Sequence, residues 1–234
     1  LLSLISLFSS EIVRINISLF CILLVFAAYS FETYHHYKLS PEWKKAVNTY
    51  NSNNKVKFDL RNKFEIYHDL KRDNPNISLV IPPKIYLNKK NLNLFPVSGA
   101  SNTKSINCNE NGYYSFGLSD RFGFNNPDDE WEKEVTKIVL AGDSFVYGSC
   151  VNRPNDIASK FRNFVQKDKG VLNLGGVGNG PLLSYVALRE YIIERNVNNI
   201  LFFFYEENDI MDLENELKQP ILKQYITNKE FSQN

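Results

Sequence analysis

Three hydrophobic patterns divide the chain. Residues 15–31, I-N-I-S-L-F-C-I-L-L-V-F-A-A-Y-S-F, run for 17 positions without a charge. That is the short end of the roughly 17–25 residues that cross a bilayer as a helix. Tyr29, Phe31 and Tyr34 close it as an interfacial aromatic belt would, and Glu11 and Arg14 stop it on the other side. The pattern predicts a membrane anchor within residues 1–31, with the apolar stretch 1–8 as the tail of an earlier helix. Residues 32–136 lack a sustained period. A short helix is predicted over 42–50 after Pro41, and strand-like pieces at 78–81 and 112–116, the latter after the turn signal Asn109-Glu110-Asn111-Gly112.

From residue 137 the pattern alternates. Apolar, β-branched runs at 138–141, 171–174 and 200–205 read as buried strands. The last is apolar on both faces, as a central parallel strand is. Between them, 155–166 and 181–195 read as helices. The first would set Ile157, Phe161, Phe164 and Val165 on one face, the second Leu182, Tyr185, Val186, Ile192 and Ile193. Residues 216–229 are expected to be helical in part. Such alternation predicts a parallel sheet with helices on both faces. The expected plan is an anchor at 1–31, a partly β lead-in at 32–136 and an α/β domain at 137–234.

Composition narrows the function classes. The 234 residues carry 27 basic and 26 acidic side chains, a net charge of +1 with no basic stripe, which excludes a nucleic-acid binder. All three histidines, His35, His36 and His68, precede the α/β region, and His35-His36 reads as a solvated pair rather than a metal site. The acidic residues Glu206, Glu207, Asp209, Asp212 and Glu214 lack calcium-loop spacing and read as a solvated face, so no metal or other cofactor is expected. Cys108 and Cys150 leave two readings open: a disulfide in an oxidising compartment, or two thiols. Lys38, Lys44 and Lys45 argue by the positive-inside rule for a cytoplasmic soluble part; the expectation adopted is an extracytoplasmic one.

The chemistry concentrates where the strands end. Gly142-Asp143-Ser144 follows the first strand directly, and a serine at the carboxyl end of a parallel strand stands where open α/β sheets bind ligands. Gly176, Gly178 and Gly180 follow the second strand at spacings that do not fit a dinucleotide fingerprint, and Gly142 to Gly148, which encloses five residues and is followed by Ser149-Cys150, does not fit a P-loop. Glu206-Glu207-Asn208-Asp209 follows the third. These three blocks, in this order, resemble those of the SGNH/GDSL hydrolase superfamily. The resemblance covers residues 137–213, about a third of the chain. It departs from the family at Glu206-Glu207, where small residues are usual.

The resemblance implies an incomplete flavodoxin-like SGNH hydrolase fold. It implies Ser144 as nucleophile, with the Ser144 and Gly178 N–H groups and the Asn208 side chain as oxyanion donors; Asp143 and Asp209 would support the turns. Such a site would cleave esters through an acyl-serine intermediate, on a small molecule or an O-acylated carbohydrate or lipid. An acyltransferase on the same fold is the alternative. The family's Asp-x-x-His has no counterpart after His68, so the chain is expected to be a C-terminally truncated fragment or a non-catalytic binding module. Cys150 is a conceivable nucleophile with nothing nearby in sequence to lower its pKa.

Overall fold

The computed structural model of the chain describes residues 10–37 and 41–233. The apolar stretch 1–8 and the side chains of His35 and His36 lie outside the described residues. The chain divides into two compact units, Leu1–Lys57 and Phe58–Asn234.

The first unit contains helix α1, Glu11–Tyr37, and helix α2, Pro41–Asn53. The predicted helix at 15–31 therefore extends at both ends. Glu11 lies in the first turn, where a carboxylate complements the helix dipole. The stretch Glu11–Tyr34 has a mean hydropathy of 2.2 and no buried residue, so α1 is long and apolar enough to cross a membrane.

The second unit holds two three-stranded sheets. The lead-in begins with helix α3, Lys63–Asp73, which the sequence pattern did not reveal. It starts at a capping box: the Asn62 side chain accepts from the Phe64 and Glu65 N–H groups, and Glu65 accepts the Asn62 N–H at 2.7 Å. Strands β1 (Ile77–Leu79), β2 (Lys104–Ile106) and β3 (Phe116–Leu118) form the first sheet, with β1 parallel and β3 antiparallel to β2. The strand expected at 112–116 therefore starts at the end of that run. Gly112 has φ +80 and belongs to the turn before it. Ile66, Ile77 and Ile106 form the core between α3 and this sheet.

The second sheet comprises β4 (Val135–Ala141), β5 (Lys169–Asn173) and β6 (Asn196–Phe202), all parallel, in the order β5-β4-β6. Helices α4 (Ser144–Tyr147), α5 (Ile157–Phe164) and α6 (Pro181–Tyr191) connect the strands; α7 (Asp209–Glu216) and α8 (Pro220–Thr227) follow β6. Alternation along β4 feeds two cores. Val139 packs with Leu172, Leu183, Val186 and Leu222, while Leu140 packs with Val146 and Ala158. Helices thus cover both faces of β4.

The third strand and two of the helices differ from the sequence expectation. The strand expected at 200–205 starts earlier, at Asn196, and is not central. Among the described residues it pairs with β4 alone, and Ile200, Leu201, Phe202, Phe203, Phe204 and Tyr205 are exposed. A doubly apolar run reports a strand suited to burial on both faces, and among the described residues nothing covers these. The helices at 155–166 and 181–195 are each shorter. Asp156 caps α5 by accepting the Ser159 N–H, Phe164 stands in solvent, and Tyr185 and Ile193 are exposed while Leu183 and Ala187 take the core-facing positions. Residues 216–229 are helical in part, as expected: α7 ends at Glu216 and Pro220 opens α8.

Candidate active site

The serine turn follows from local chemistry. β4 ends at Ala141, and Gly142 takes φ +157. A Cβ there would lie 2.7 Å from Val146 Cγ2 and 3.0 Å from the Phe203 carbonyl oxygen, so the position excludes side chains. Asp143 is buried and accepts the Phe145 N–H at 2.9 Å, which caps α4. Burial pushes its carboxyl above the ordinary value; the Phe145 N–H opposes that rise, and the charges of Asp209 and Asp212 add to it. Gly148 ends α4 in the left-handed conformation, φ +82. Ser144 is half-buried at the first helical position. Its Oγ has no hydrogen-bond partner among the described residues.

The glycine turn lies against the serine turn. Leu174 N–H donates to Leu140 O at 2.8 Å and Gly176 N–H to Gly142 O at 3.2 Å. A Cβ on Gly175 would sit 2.4 Å from the Tyr147 nitrogen. Asn173, fully buried at the end of β5, joins the two turns: its Nδ2 donates to Val146 O at 2.7 Å and its Oδ1 accepts the Gly175 N–H at 2.8 Å. Gly178 has φ +71 and packs under the Lys84 side chain, whose Cδ and Cε would lie 2.7 Å from a Cβ there. Gly180 precedes α6. The buried Glu216 carboxylate accepts the N–H groups of Gly180 at 2.6 Å, Leu182 at 2.8 Å and Leu183 at 3.3 Å. Burial outweighs these donors and pushes the Glu216 carboxyl up to about 7.

The third block closes the same end of the sheet. Phe203 N–H donates to Ala141 O at 2.8 Å. Asp209 staples the following turn, its Oδ2 accepting the Tyr205 N–H at 2.8 Å while its own N–H donates to Tyr205 O at 3.0 Å. Asn208 Nδ2 donates to Asp212 Oδ2 at 2.9 Å, which leaves one amide hydrogen for a ligand. Asn208 Oδ1 and Asp209 Oδ1 are buried without a donor among the described residues. Glu206 and Glu207 are exposed, and Tyr205 OH donates to Glu207. Phe145 and Tyr205 meet edge to face at 5.3 Å. With Asp143, Phe203 and Phe204 they line an aromatic cleft of about 270 Å³.

The structure thus gathers the turns that carry Asp143, Ser144, Gly178, Asn208 and Asp209. It adds groups that the motifs did not reveal. Asn125 Nδ2 donates to Tyr147 O at 2.8 Å. Asn126 Oδ1 accepts the Asn173 N–H at 2.8 Å, and its Nδ2 donates to Asn173 O at 3.0 Å and Asp120 Oδ2 at 2.8 Å. Asp120 also accepts Trp131 Nε1–H at 2.7 Å and the Phe122 and Phe124 N–H groups. The sequence D-R-F-G-F-N-N at 120–126 is therefore a bracket that holds the lead-in to the carboxyl end of the sheet. Its polar residues in an otherwise apolar run were the available signal.

Cys108 and Cys150 form a disulfide with Cα atoms 5.0 Å apart, tying the strand region after β2 to the segment after α4. Cys150 therefore has no thiol to act as nucleophile. No base stands at Ser144 among the described residues. His68 is exposed on α3, where its ring meets Tyr67 at 5.6 Å. No group of His, Cys, Asp and Glu suited to a metal ion occurs among them either. No protein-family profile, curated protein or solved structure matches this chain.

Proposed function

We propose that the second unit is an SGNH-type serine hydrolase domain that acts on esters through acylation of Ser144. The observation that carries this reading is the convergence of three turns: Gly176 N–H on Gly142 O and Phe203 N–H on Ala141 O bring the serine turn, the glycine turn and the approach to Asn208 to one end of the sheet. The strand order, with the first strand in the middle, supports a flavodoxin-like start, and such sheets bind ligands at their carboxyl edge. Ser144 Oγ would bond to the ester carbonyl carbon as the C–O bond to the alcohol breaks. A base outside the described residues takes the serine proton and returns it to the departing alkoxide. Water, or in an acyltransferase a sugar hydroxyl, then releases the acyl group. The aromatic cleft of Phe145, Phe203, Phe204 and Tyr205 suits an acyl chain or a sugar face of a carbohydrate or lipid ester. Helix α1 anchors the protein, and the disulfide favours an oxidising, extracytoplasmic side for the second unit.

The test is labelling of the whole detergent-solubilised chain with a fluorophosphonate. The expected result is one adduct, on Ser144, absent in Ser144→Ala. An unmodified Ser144 overturns the acyl-serine reading. One observation favours a second reading, a non-catalytic ester- or glycan-binding module: Ser144 Oγ has no partner among the described residues. Ester turnover that disappears in Ser144→Ala would exclude it.

A further inference from the structure

We infer that Lys84 is the cationic member of this site and contacts the negative charge that develops on the acyl oxygen. The inference rests on the acyl-serine reading above and adds a catalytic residue from the lead-in segment.

Lys84 is held in place although its side chain is exposed. It lies in a 3-10 helix, Pro83–Tyr86, whose first residue is buried, and Leu87 N–H donates to Lys84 O at 3.2 Å. Directly after it, the buried Gln219 at the start of α8 donates its side-chain amide to Leu87 O at 3.2 Å and Lys89 O at 2.9 Å. The backbone that carries Lys84 is thereby fixed to the α/β part. From there its stem lies across Gly178, and its Nζ sits 3.0 Å from the point a Gly178 Cβ would occupy.

Its ammonium is available. Among the described residues nothing accepts a hydrogen bond from Lys84 Nζ, although the end of the sheet is rich in carboxylates. Asp143 accepts the Phe145 N–H, Asp209 the Tyr205 N–H, Asp212 the Asn208 amide, Glu216 the start of α6 and Glu207 the Tyr205 hydroxyl. The neutral oxyanion donors are the Ser144 and Gly178 N–H groups and the one Asn208 amide hydrogen not donated to Asp212. A lysine ammonium beside the Gly178 backbone adds a further donor and a positive charge for a tetrahedral oxyanion. Loss of one such donor lowers rates by about 10²–10³-fold.

The experiment compares second-order fluorophosphonate labelling rates at Ser144 in the whole chain and in Lys84→Met and Lys84→Arg, with thermal melts of all three. The expected result is a drop of about 10²-fold in Lys84→Met, recovery of most of it in Lys84→Arg, and unchanged melting. Equal rates in the wild type and Lys84→Met overturn the role of Lys84 and leave the acyl-serine reading standing. A slow Lys84→Met that also melts earlier and is not rescued by Lys84→Arg overturns it too, as a structural effect. A wild-type chain that does not label at Ser144 overturns both.

Discussion

Asn173 Nδ2 donates to Val146 O across 2.7 Å, and the same side chain accepts the Gly175 N–H at 2.8 Å. One buried amide therefore sets the spacing between the helix that starts at Ser144 and the turn that leads to Gly178. Replacing it with alanine leaves a buried carbonyl and a buried N–H unpaired, each worth about 1–3 kcal/mol. Asn173→Ala is expected to lose about 3 kcal/mol in urea unfolding of the second unit. Asn173→Asp is expected to do no better, because a carboxylate oxygen would then face Val146 O. An unfolding midpoint unchanged in Asn173→Ala would contradict the bracket.

Glu216 gives the protein a pH signature. Its carboxyl is pushed up to about 7 in the fold, above the ordinary 4.5. The folded state therefore binds more protons than the unfolded chain between these values, and stability falls as pH rises through that window. The contribution is fully present below about 4.5 and gone above about 7, an amplitude of about 3 kcal/mol. Chemical denaturation at a series of pH values should show this decline in the wild type, and Glu216→Gln should flatten it. A Glu216→Gln variant with the same slope would remove Glu216 as the source.

The Cys108–Cys150 disulfide closes a sequence separation of 42 residues. On loop-closure entropy such a link stabilises by about 4 kcal/mol. Reduction with dithiothreitol, or the double change Cys108→Ser with Cys150→Ser, is expected to lower unfolding stability by that order. A peptide map without reductant should contain the cross-linked pair. Two freely alkylated cysteines in protein recovered from the cell would count against an oxidising location.

Gly142 has no room for a side chain, with Val146 Cγ2 at 2.7 Å and Phe203 O at 3.0 Å from the Cβ position. Gly142→Ala must move either α4 or the end of β6. The expected cost is about 1–3 kcal/mol, together with loss of Ser144 labelling. Gly170 is a useful contrast, because its nearest neighbour would be the Glu130 carbonyl at 3.2 Å and its φ is not in the left-handed region. Gly170→Ala should keep its labelling.

Sequence and structure agree best where a local pattern decides the outcome. The run at 138–141 is β-branched and stopped by a glycine, so β4 was legible, as was α6 behind Pro181. Burial of β6 was not legible: its apolar residues 200–205 state what the strand can pack against and not what is present beside it. Helix α3 was hidden because its start depends on the Asn62–Glu65 cap, a pairing of two polar side chains in a segment without strong hydrophobic period. The site divides in the same way. Gly142, Asp143 and Ser144 form a contiguous block and could be named from it. Lys84, Asn125, Asn126 and Asp120 reach that end of the sheet from sequence-distant turns, and no local spacing announces such contacts.

The lead-in is tied to the serine turn and to the neighbouring strand end at several points, among them the disulfide at Cys150, Asn125 on Tyr147 O, Asn126 on Asn173, and the Tyr147 hydroxyl, which fills the space above Gly117. The part of the chain with the most recognisable sequence, residues 137–213, is thus not the smallest part able to hold its own geometry. Trimming to it would cut a covalent bond and the polar clamps on both sides of Ser144, and would discard Lys84 as well. The compact unit that keeps all of these links begins at Phe58.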